Sequence, residues 1–358
     1  MKTIYYGYPS LSSFVKTDID FLSKENSVIH RLQPWSNKLK LPFCLITQFF
    51  FLLKNYRKID VVIVSFAGYH SYLPVRFAKM KGISSFIILN GTDSVGIPQL
   101  NYGSHLKKIM RLFCKWSIKH TTELWPVSSS LIDGRNAYLS EPLVYGVRHS
   151  FPEIKTPYYT ISNGFSIGYW REGLLHRKDS LNGVVSVVSG AKQFELKGID
   201  LLLEAAARLP EIPFSIVGMT MPEELHVPEN VRFLGRLTQD ELRGIYASNL
   251  FYMQLSSFEG FGCSLCEAML SGCIPIGSAV NVIPEIIGDT GLVLQKKKPD
   301  LLAEGFLSLM NKINNDREEH SKASSDRIAE HYTIEQRMKQ IAGRIAVYQT
   351  NRNKLRDD

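Results

Sequence analysis

Two glutamates on either side of a glycine-rich turn mark the segment best equipped for chemistry. Glu259 stands directly before Gly260, Phe261 and Gly262, and Glu267 follows in a stretch with helical spacing. Glycines at a strand-to-helix turn let the backbone approach a ligand closely, and free amides at the helix start attract a phosphate or sugar oxygen. Carboxylates there are useful when they accept hydrogen bonds from hydroxyls. The segment predicts a diphosphate site with sugar and ribose contacts; the alternative is one helix-capping carboxylate and one on a solvated face.

Two other spacings resemble metal sites, but their surroundings argue against metal binding. Cys263 and Cys266 have the spacing of a zinc or redox pair, yet no second pair and no nearby histidine follows, and Cys266 falls in a predicted buried helix. Asp18 and Asp20 lie in a predicted first helix, not at a strand end. We expect no metal and no resident cofactor. The odd number of cysteines, five, suits a reducing compartment.

Short apolar runs rich in β-branched residues alternate with amphipathic stretches and must position these residues. Runs that are apolar throughout and separated by helices are typical of a parallel sheet buried on both faces. We therefore expect an α/β protein with two doubly wound, Rossmann-like domains. The predicted strands are 60–65, 86–89, 124–127, 184–188, 214–217, 231–234, 251–254 and 274–276.

The length of 358 residues favours two domains over one. We place the first domain at 1–165, an irregular linker at 166–183, the second domain at 184–330 and a final helix at 331–358 that returns towards the first domain. The final helix carries apolar residues at intervals of three or four, which should pack on the protein rather than form a partner site. These residues are Ile334, Met338, Ile341, Ile345 and Tyr348.

The motifs of the second half resemble those of a known family. A Glu-x7-Glu pattern with Gly-Phe-Gly after the first glutamate and Glu-Ala-Met at the second resembles the signature of the retaining GT-B glycosyltransferases of family four. Segments 271–276 and 284–292, Lys197-Gly198 and the Phe-Leu-Gly turn ending at Gly235 continue the match over roughly 184–295. The resemblance implies a GT-B fold, in which two domains face a central cleft, and metal-independent transfer of a sugar from a nucleotide diphosphate donor with retention of anomeric configuration.

The resemblance also implies roles for individual residues. Lys197 would pair with the donor diphosphate and Glu259 would hold the sugar, so these two are the expected catalytic residues. Donor binding would involve Lys192, Gly235, Gly260, Phe261, Gly262 and Glu267, of which Glu267 would hold the ribose. The family usually has Gly-Arg before its Lys-Gly, whereas this chain has Gly190-Ala191-Lys192. We therefore expect Lys192 to supply the second phosphate-binding cation.

The first half matches the family more weakly. Asn90-Gly91-Thr92-Asp93 stands where the family often has His-Gly-x-Asp, which places Asn90 and Asp93 on the acceptor side of the cleft. His70 either joins that site or fills a loop.

Charge is uneven along the chain. Residues 1–150 hold 19 Lys and Arg against 8 Asp and Glu, a net charge of +11, which leaves −3 for 151–358. A basic face attracts nucleic acid, anionic lipid or a phosphorylated substrate, or is simply solvated. No nucleic-acid reader motif is present, so we expect no nucleic-acid partner. The basic aromatic segment 49–58 suggests an acceptor at the inner membrane surface; the alternative is a buried helix before the strand at Val61.

The start of the chain lacks the apolar run of a signal peptide, so we expect a cytoplasmic protein. The longest apolar segment, 41–53, is shorter than the roughly 20 residues that span a bilayer. The predicted function is transfer from a UDP- or GDP-type sugar to a glycan or lipid-linked acceptor in bacterial surface polysaccharide synthesis, such as capsule, O-antigen or exopolysaccharide. Two alternatives are a nucleotide-sugar epimerase of GT-B architecture and a catalytically silent nucleotide-sugar-binding subunit.

Overall fold

A computed structural model describes residues 1–176 and 182–357, and the side chains of 1–175 and 182–349. The chain forms two compact α/β units. Unit 1 comprises Met1–Gly134, Val144–Gly164 and Ile334–Asp358, and unit 2 comprises Arg135–Leu143 and Phe165–Thr333.

Strands and helices alternate along most of the chain. The strands are β1 (Thr3–Gly7), β2 (Ser27–Ile29), β3 (Val61–Ser65), β4 (Ser84–Leu89), β5 (Glu123–Pro126), β6 (Gly134–Asn136), β7 (Leu143–Tyr145), β8 (Val184–Val187), β9 (Phe214–Val217), β10 (Val231–Phe233), β11 (Phe251–Gln254), β12 (Ile274–Ser278) and β13 (Leu292–Leu294). The helices are α1 (Ser13–Leu22), α2 (Leu41–Lys54), α3 (Tyr69–Lys81), α4 (Lys108–His120), α5 (Val147–Ser150), α6 (Ile167–Arg171), α7 (Ile199–Arg208), α8 (Gln239–Ala247), α9 (Cys263–Leu270), α10 (Ile283–Ile287), α11 (Pro299–Ile313), α12 (Arg317–His331) and α13 (Ile334–Asp357).

Unit 1 is built on a five-stranded parallel sheet in the order β2-β1-β3-β4-β5. Every residue of β3 is buried, as expected for a strand covered by helices on both faces. Helix α3 packs against β3 and β4 and lies between α2 and α4, while α13 contacts α1 and β4. The sheet order and the helix packing are those of a doubly wound domain.

Helix α13 is fixed to unit 1 by buried charge as well as by apolar packing. Met338, Ile341 and Ile345 are buried, in agreement with the predicted apolar face. Arg337 donates two hydrogen bonds of 2.8 Å each to the carboxylate of Asp18. The Asp18 carboxylate is therefore part of an internal ion pair, which explains an acidic residue in the buried face of α1.

Unit 2 is built on a six-stranded parallel sheet in the order β10-β9-β8-β11-β12-β13. The chain moves outwards from β8 through β9 to β10 and then returns to place β11 on the other side of β8. This reversal is a topological switch point, where loops leaving adjacent strands diverge and open a crevice.

The passages between the units differ in detail from the predicted boundaries. The chain leaves unit 1 through β6 and returns through β7, so that residues 135–143 belong to unit 2. The segment 166–183 begins with α6 and a short 3-10 helix, Glu172–His176, within unit 2. Its residues 177–181 lie outside the described residues. No helix in the described part of the chain is long and apolar enough to cross a membrane.

Candidate functional site

Two loops meet at the carboxyl ends of β8 and β11, the adjacent strands of the switch point. The first loop ends in Lys197, directly before the glycine that starts α7, and the second carries Glu259 between β11 and α9. The Nζ atom of Lys197 lies 2.5 Å from Oε2 of Glu259. The two residues predicted to be catalytic are thus brought together as an ion pair at the edge of the sheet where ligands of doubly wound domains bind.

Polar side chains hold the Glu259 carboxylate in place. Gln254 Nε2 and Ser256 Oγ donate to Oε2 at 3.0 and 3.1 Å, beside the bond from Lys197. The backbone amide of Glu259 donates to Oδ1 of Asn281 at 3.2 Å. The sequence analysis did not identify Gln254, Ser256 or Asn281 as site residues. Gln254 and Ser256 could have been noticed, because they are polar residues at or just after the end of an otherwise apolar strand.

Gly198 allows the two loops to approach each other. It has φ of 72°, and a Cβ atom at this position would lie 2.2 Å from the carbonyl oxygen of Leu255. The amide of Ser257 donates to the carbonyl of Leu196 at 2.8 Å, which joins the two loops directly. A larger residue at 198 would therefore push the Lys197 loop away from the Glu259 loop.

The turn between the two glutamates contributes backbone rather than side chains. Gly262 has φ of 98° and precedes the first turn of α9, where amides are free to bind an anion or a sugar oxygen. Gly260 lies in the same turn. The ring of Phe261 is buried and packs against Phe165 and Tyr332, with centroids 6.2 and 5.4 Å away. Phe261 therefore anchors the turn in the core of unit 2.

Glu267 lies in the second turn of α9 and differs electrostatically from Glu259. Part of its surface is exposed, but protein surrounds its carboxyl group, and this burial raises its pKa to about 8. The charges of both glutamates contribute to raising the pKa of the Tyr252 hydroxyl, after burial. Tyr252 in β11 therefore lies within electrostatic range of both carboxylates.

The remaining residues that were predicted to bind the donor follow strands of the same sheet but lie outside the ion pair. Lys192 is exposed in the short 3-10 helix Ala191–Gln193 after β8, and it makes no ion pair with a described residue. Gly235 follows β10 with φ of 67°, and its backbone bonds with Gly218 and Met219 beyond β9. Within the described part of the chain, neither residue forms a hydrogen bond with Lys197 or Glu259.

A strap from the first half of the sequence, residues 135–143, supports the Glu259 loop. Asn136 is buried, and its Nδ2 donates to the carbonyl oxygen of Ser257 at 2.7 Å. Its Oδ1 accepts from the amide of Tyr138 at 2.8 Å. Lys297 connects its backbone to Tyr138 and pairs with Asp200 of α7 at 2.6 Å. The strap thus contacts both the Glu259 loop and the segment after β13. No sequence motif predicted these contacts.

The acceptor-side candidates lie together in unit 1. Asp93 is buried and accepts hydrogen bonds from the amides of Ala67, Asn90 and Gly91; burial raises its pKa to about 6 despite these bonds. The side chain of Asn90 donates to Ser65 Oγ at 3.2 Å. Asp93 therefore fixes the loops at the carboxyl ends of β3 and β4.

His70 lies in α3 rather than in a loop. The ring is buried, its Nε2 bonds to the carbonyl of Ser65 at 2.9 Å, and burial lowers its pKa to about 4. A carbonyl can only accept, so the proton lies on Nε2. His70 is held as a neutral ring next to the Asn90 and Asp93 loops.

The two spacings that resemble metal sites are structural. Cys266 is buried in α9, and burial raises the pKa of its thiol well above the ordinary value, which disfavours the thiolate that binds metals. Asp18 is paired with Arg337. Among the described residues no three His, Cys, Asp or Glu side chains are grouped so that they could hold a metal ion.

Comparison with known proteins was decisive for the second half of the chain. Residues 181–327 match the sequence model of the family described as glycosyl transferases group 1. Residues 181–327 therefore carry the sequence pattern of the glycosyl transferases group 1 family. The matched region contains Lys192, Lys197, Gly235 and both glutamates, whereas Asn90, Asp93 and His70 lie outside it.

Curated relatives match this chain over short segments. O-antigen chain mannosyltransferase B of Escherichia coli is 34% identical over 77 residues, which are 22% of this chain and 20% of the relative. N-acetyl-alpha-D-glucosaminyl L-malate synthase of Bacillus anthracis is 34% identical over 94 residues, 26% of this chain and 24% of the relative. The matches span about a fifth to a quarter of these relatives.

Solved structures match the chain over nearly its whole length. Sucrose-phosphate synthase from Thermosynechococcus elongatus has a TM-score of 0.68 at 14% identity and covers 100% of both chains. HepE from Anabaena in complex with UDP and glucose has a TM-score of 0.65 at 14% identity, over 97% of this chain and 99% of that one. The predicted GT-B fold is confirmed, and the predicted family resemblance is confirmed for residues 181–327.

Proposed function

We propose that this protein is a retaining glycosyltransferase that moves a sugar from a nucleotide diphosphate donor to a glycan or lipid-linked acceptor. The observation that carries the proposal is the Lys197–Glu259 ion pair at the switch point of unit 2. The pair offers a cation for a diphosphate and a carboxylate for sugar hydroxyls within one crevice. The family match and the UDP and glucose bound by HepE, a protein of the same fold, support this choice.

The roles in the reaction follow from the chemistry of each group. The flexible side chain of Lys197 moves away from Glu259 and binds the donor diphosphate. Its positive charge then offsets the negative charge that develops as the bond between the anomeric carbon and the phosphate oxygen breaks. The acceptor hydroxyl forms the new bond on the same face of the sugar, and its proton leaves with the diphosphate. All three bonds described for the Glu259 carboxylate go to Oε2, which leaves Oε1 for a sugar hydroxyl.

The other donor contacts complete the site. The Glu267 carboxylate accepts from the ribose hydroxyls, and the amides at the start of α9 bind a phosphate or sugar oxygen. Lys192 supplies a second cation for the diphosphate, and Gly235 lets the backbone approach the nucleotide. Lys197 and these amides perform the neutralisation that metal ions perform in other transferases, so the reaction proceeds without a metal.

The donor is of the UDP or GDP type, and the setting is bacterial surface polysaccharide synthesis at the cytoplasmic side of the cell membrane. The mannosyltransferase of O-antigen chains among the relatives supports this setting. The net charge of +11 on residues 1–150 supports an acceptor presented at an anionic surface.

The test is donor binding by calorimetry with a panel of UDP-, GDP- and ADP-sugars. We expect one nucleotide class to bind, with binding lost in Glu267→Ala and kept in Glu304→Ala, a matched change of an exposed glutamate on α11. Release of nucleoside diphosphate by slow transfer to water, with the released sugar keeping its anomeric configuration by NMR, tests the chemistry. Binding without turnover would indicate a silent subunit, and sugar epimerisation without an acceptor would indicate an epimerase.

A further inference from the structure

Helix α2 of unit 1 is apolar on both sides but buried on only one. Its inner side carries Cys44, Gln48 and Leu52, all buried. Gln48 Nε2 donates to Tyr5 Oη at 3.0 Å and to the carbonyl of His70 at 2.9 Å, which fixes the rotation of the helix about its axis. The outer side of α2 is therefore held in one orientation, facing away from the sheet. The predicted alternative, a buried helix before the strand at Val61, holds only for the inner side of α2.

The outer side of α2 is a continuous apolar surface. Five large side chains recur at intervals of three or four residues and are between 50% and 65% exposed. Single exposed apolar residues are common on proteins, but a contiguous apolar stripe marks a surface that is covered in function. We call this stripe the α2 face. It consists of Phe43, Ile46, Phe49, Phe50 and Leu53.

Bases surround both ends of the α2 face. Lys38 and Lys40 precede the helix, and Lys54, Arg57 and Lys58 close it, all of them exposed. Between Glu25 and Asp60 the sequence contains six Lys and Arg and no acidic residue. Long basic side chains at the ends of an apolar helical face can reach phosphate headgroups while the face enters the layer below. An apolar face flanked by basic side chains is complementary to the acyl chains and the negatively charged headgroups of an anionic phospholipid surface.

We infer that the α2 face docks unit 1 on an anionic phospholipid membrane, with its aromatic side chains at the boundary between headgroups and acyl chains. A second copy of the chain is a poor occupant, because two α2 faces in contact would bring twelve bases together with no acidic partner from the same segment. Docking would bring the protein to lipid-linked acceptors, and in this respect the inference rests on the proposed function. The α2 face itself is independent of the donor site.

Vesicle flotation of the full chain tests the docking. We expect binding to vesicles of phosphatidylcholine mixed with phosphatidylglycerol at low salt, and at least about tenfold weaker binding to phosphatidylcholine alone. Phe43→Ser with Phe50→Ser should weaken binding to the anionic vesicles at least about tenfold. Lys54→Gln with Lys58→Gln should weaken it about fivefold for each base removed. The matched control, Leu301→Ser with Leu307→Ser on exposed positions of α11, should bind like the native chain.

Two further measurements separate the outcomes. All variants should keep the native unfolding midpoint and donor affinity, which excludes misfolding as the cause of lost flotation. Native protein that does not float with anionic vesicles overturns the docking, as does sedimentation showing a dimer that the Phe43 and Phe50 changes dissociate. Flotation without any donor binding would overturn the proposed function and leave the docking standing, and donor binding without flotation would do the reverse.

Discussion

The two units each contain an ion pair between residues far apart in sequence, and the two pairs are built differently. Asp18 and Arg337 in unit 1 are 2% and 3% exposed, and two parallel bonds join them. The hydroxyl of Tyr6 adds a third bond to the carboxylate at 2.8 Å. Lys197 and Glu259 in unit 2 are 18% and 13% exposed, joined by one bond from a flexible ammonium.

The difference separates an ion pair that holds the fold from one that can act on a ligand. In the unit 1 pair, both oxygens of Asp18 are bound by protein donors, and Arg337 also binds the carbonyls of Ile161 and Ser162. Breaking such a pair leaves a buried charge, which is costly. The unit 2 pair lies at the carboxyl ends of the strands, keeps 18% and 13% of its side-chain surfaces exposed and is joined by a single bond. Its position there is better explained by chemistry than by folding.

The largest expected effect is on the rate when the unit 2 pair is broken. Lys197→Gln should lower kcat about 10³-fold, because it removes the cation facing the leaving diphosphate. The unfolding midpoint should change less than after Asp18→Asn, since the pair keeps part of its surface exposed and Gln254 and Ser256 still bind the Glu259 carboxylate. Release of nucleoside diphosphate measures the rate. A variant with nearly native kcat but a much lower midpoint would mean that this pair, like that of unit 1, is structural.

Lys192→Gln is the matched change at the neighbouring exposed lysine. We expect donor affinity to fall about fivefold and kcat to change less, because an exposed cation acts through a screened interaction. If donor affinity and rate both stay native, Lys192 is not the second phosphate-binding cation.

The next effect is on stability when the unit 1 pair is broken. Asp18→Asn keeps the shape of the side chain but leaves the Arg337 guanidinium buried without a counter-charge, so it should cost about 3 kcal/mol in urea unfolding. The kcat of the folded fraction should stay native. Asp20→Asn, an exposed change two residues away, should lie within about 0.5 kcal/mol of the native protein. Equal losses from the two variants would contradict the assignment.

Much of unit 2 could be predicted from the sequence because its site is local. Lys197 and Glu259 each follow a short buried strand, and the glycines beside them indicate turns. Parallel strands bring their carboxyl ends to one edge, so pattern alone suffices to bring the two loops together.

The strap and the first strand were not predictable in the same way. Asn136 is 121 residues from Ser257, whose carbonyl it binds, and periodicity reports only whether a segment is buried, not which unit it packs on. Residues 135–143 were therefore assigned to the first domain. β1, Thr3–Gly7, was overlooked because its strand of five residues ends in two tyrosines and a glycine rather than an aliphatic run. Tyr5 and Tyr6 are nevertheless buried.

The last expected effect is a pH dependence that distinguishes the two glutamates of the motif. Burial raises the pKa of Glu267 to about 8 in the free protein, so its carboxyl is largely protonated at pH 7. If the ionised form accepts from the ribose hydroxyls, binding releases a proton. Donor affinity should then rise with pH between about 6 and 8, by up to about tenfold per unit, and level off above 8.

The control for this pH dependence is Glu267→Gln, which cannot ionise and should bind the donor with no slope in that window. The neighbouring hydroxyls of Tyr169, Tyr246 and Tyr252 have pKa values raised above 10, so they do not titrate there. Calorimetry in buffers of different ionisation enthalpy measures how many protons are released on binding. The donor does not contribute to this number, because both phosphates of a nucleotide diphosphate sugar are esterified and do not titrate in this pH range. An affinity that falls as pH rises would mean that Glu267 stays protonated in the complex and donates a hydrogen bond to the ligand, because an added negative charge would then oppose the diphosphate.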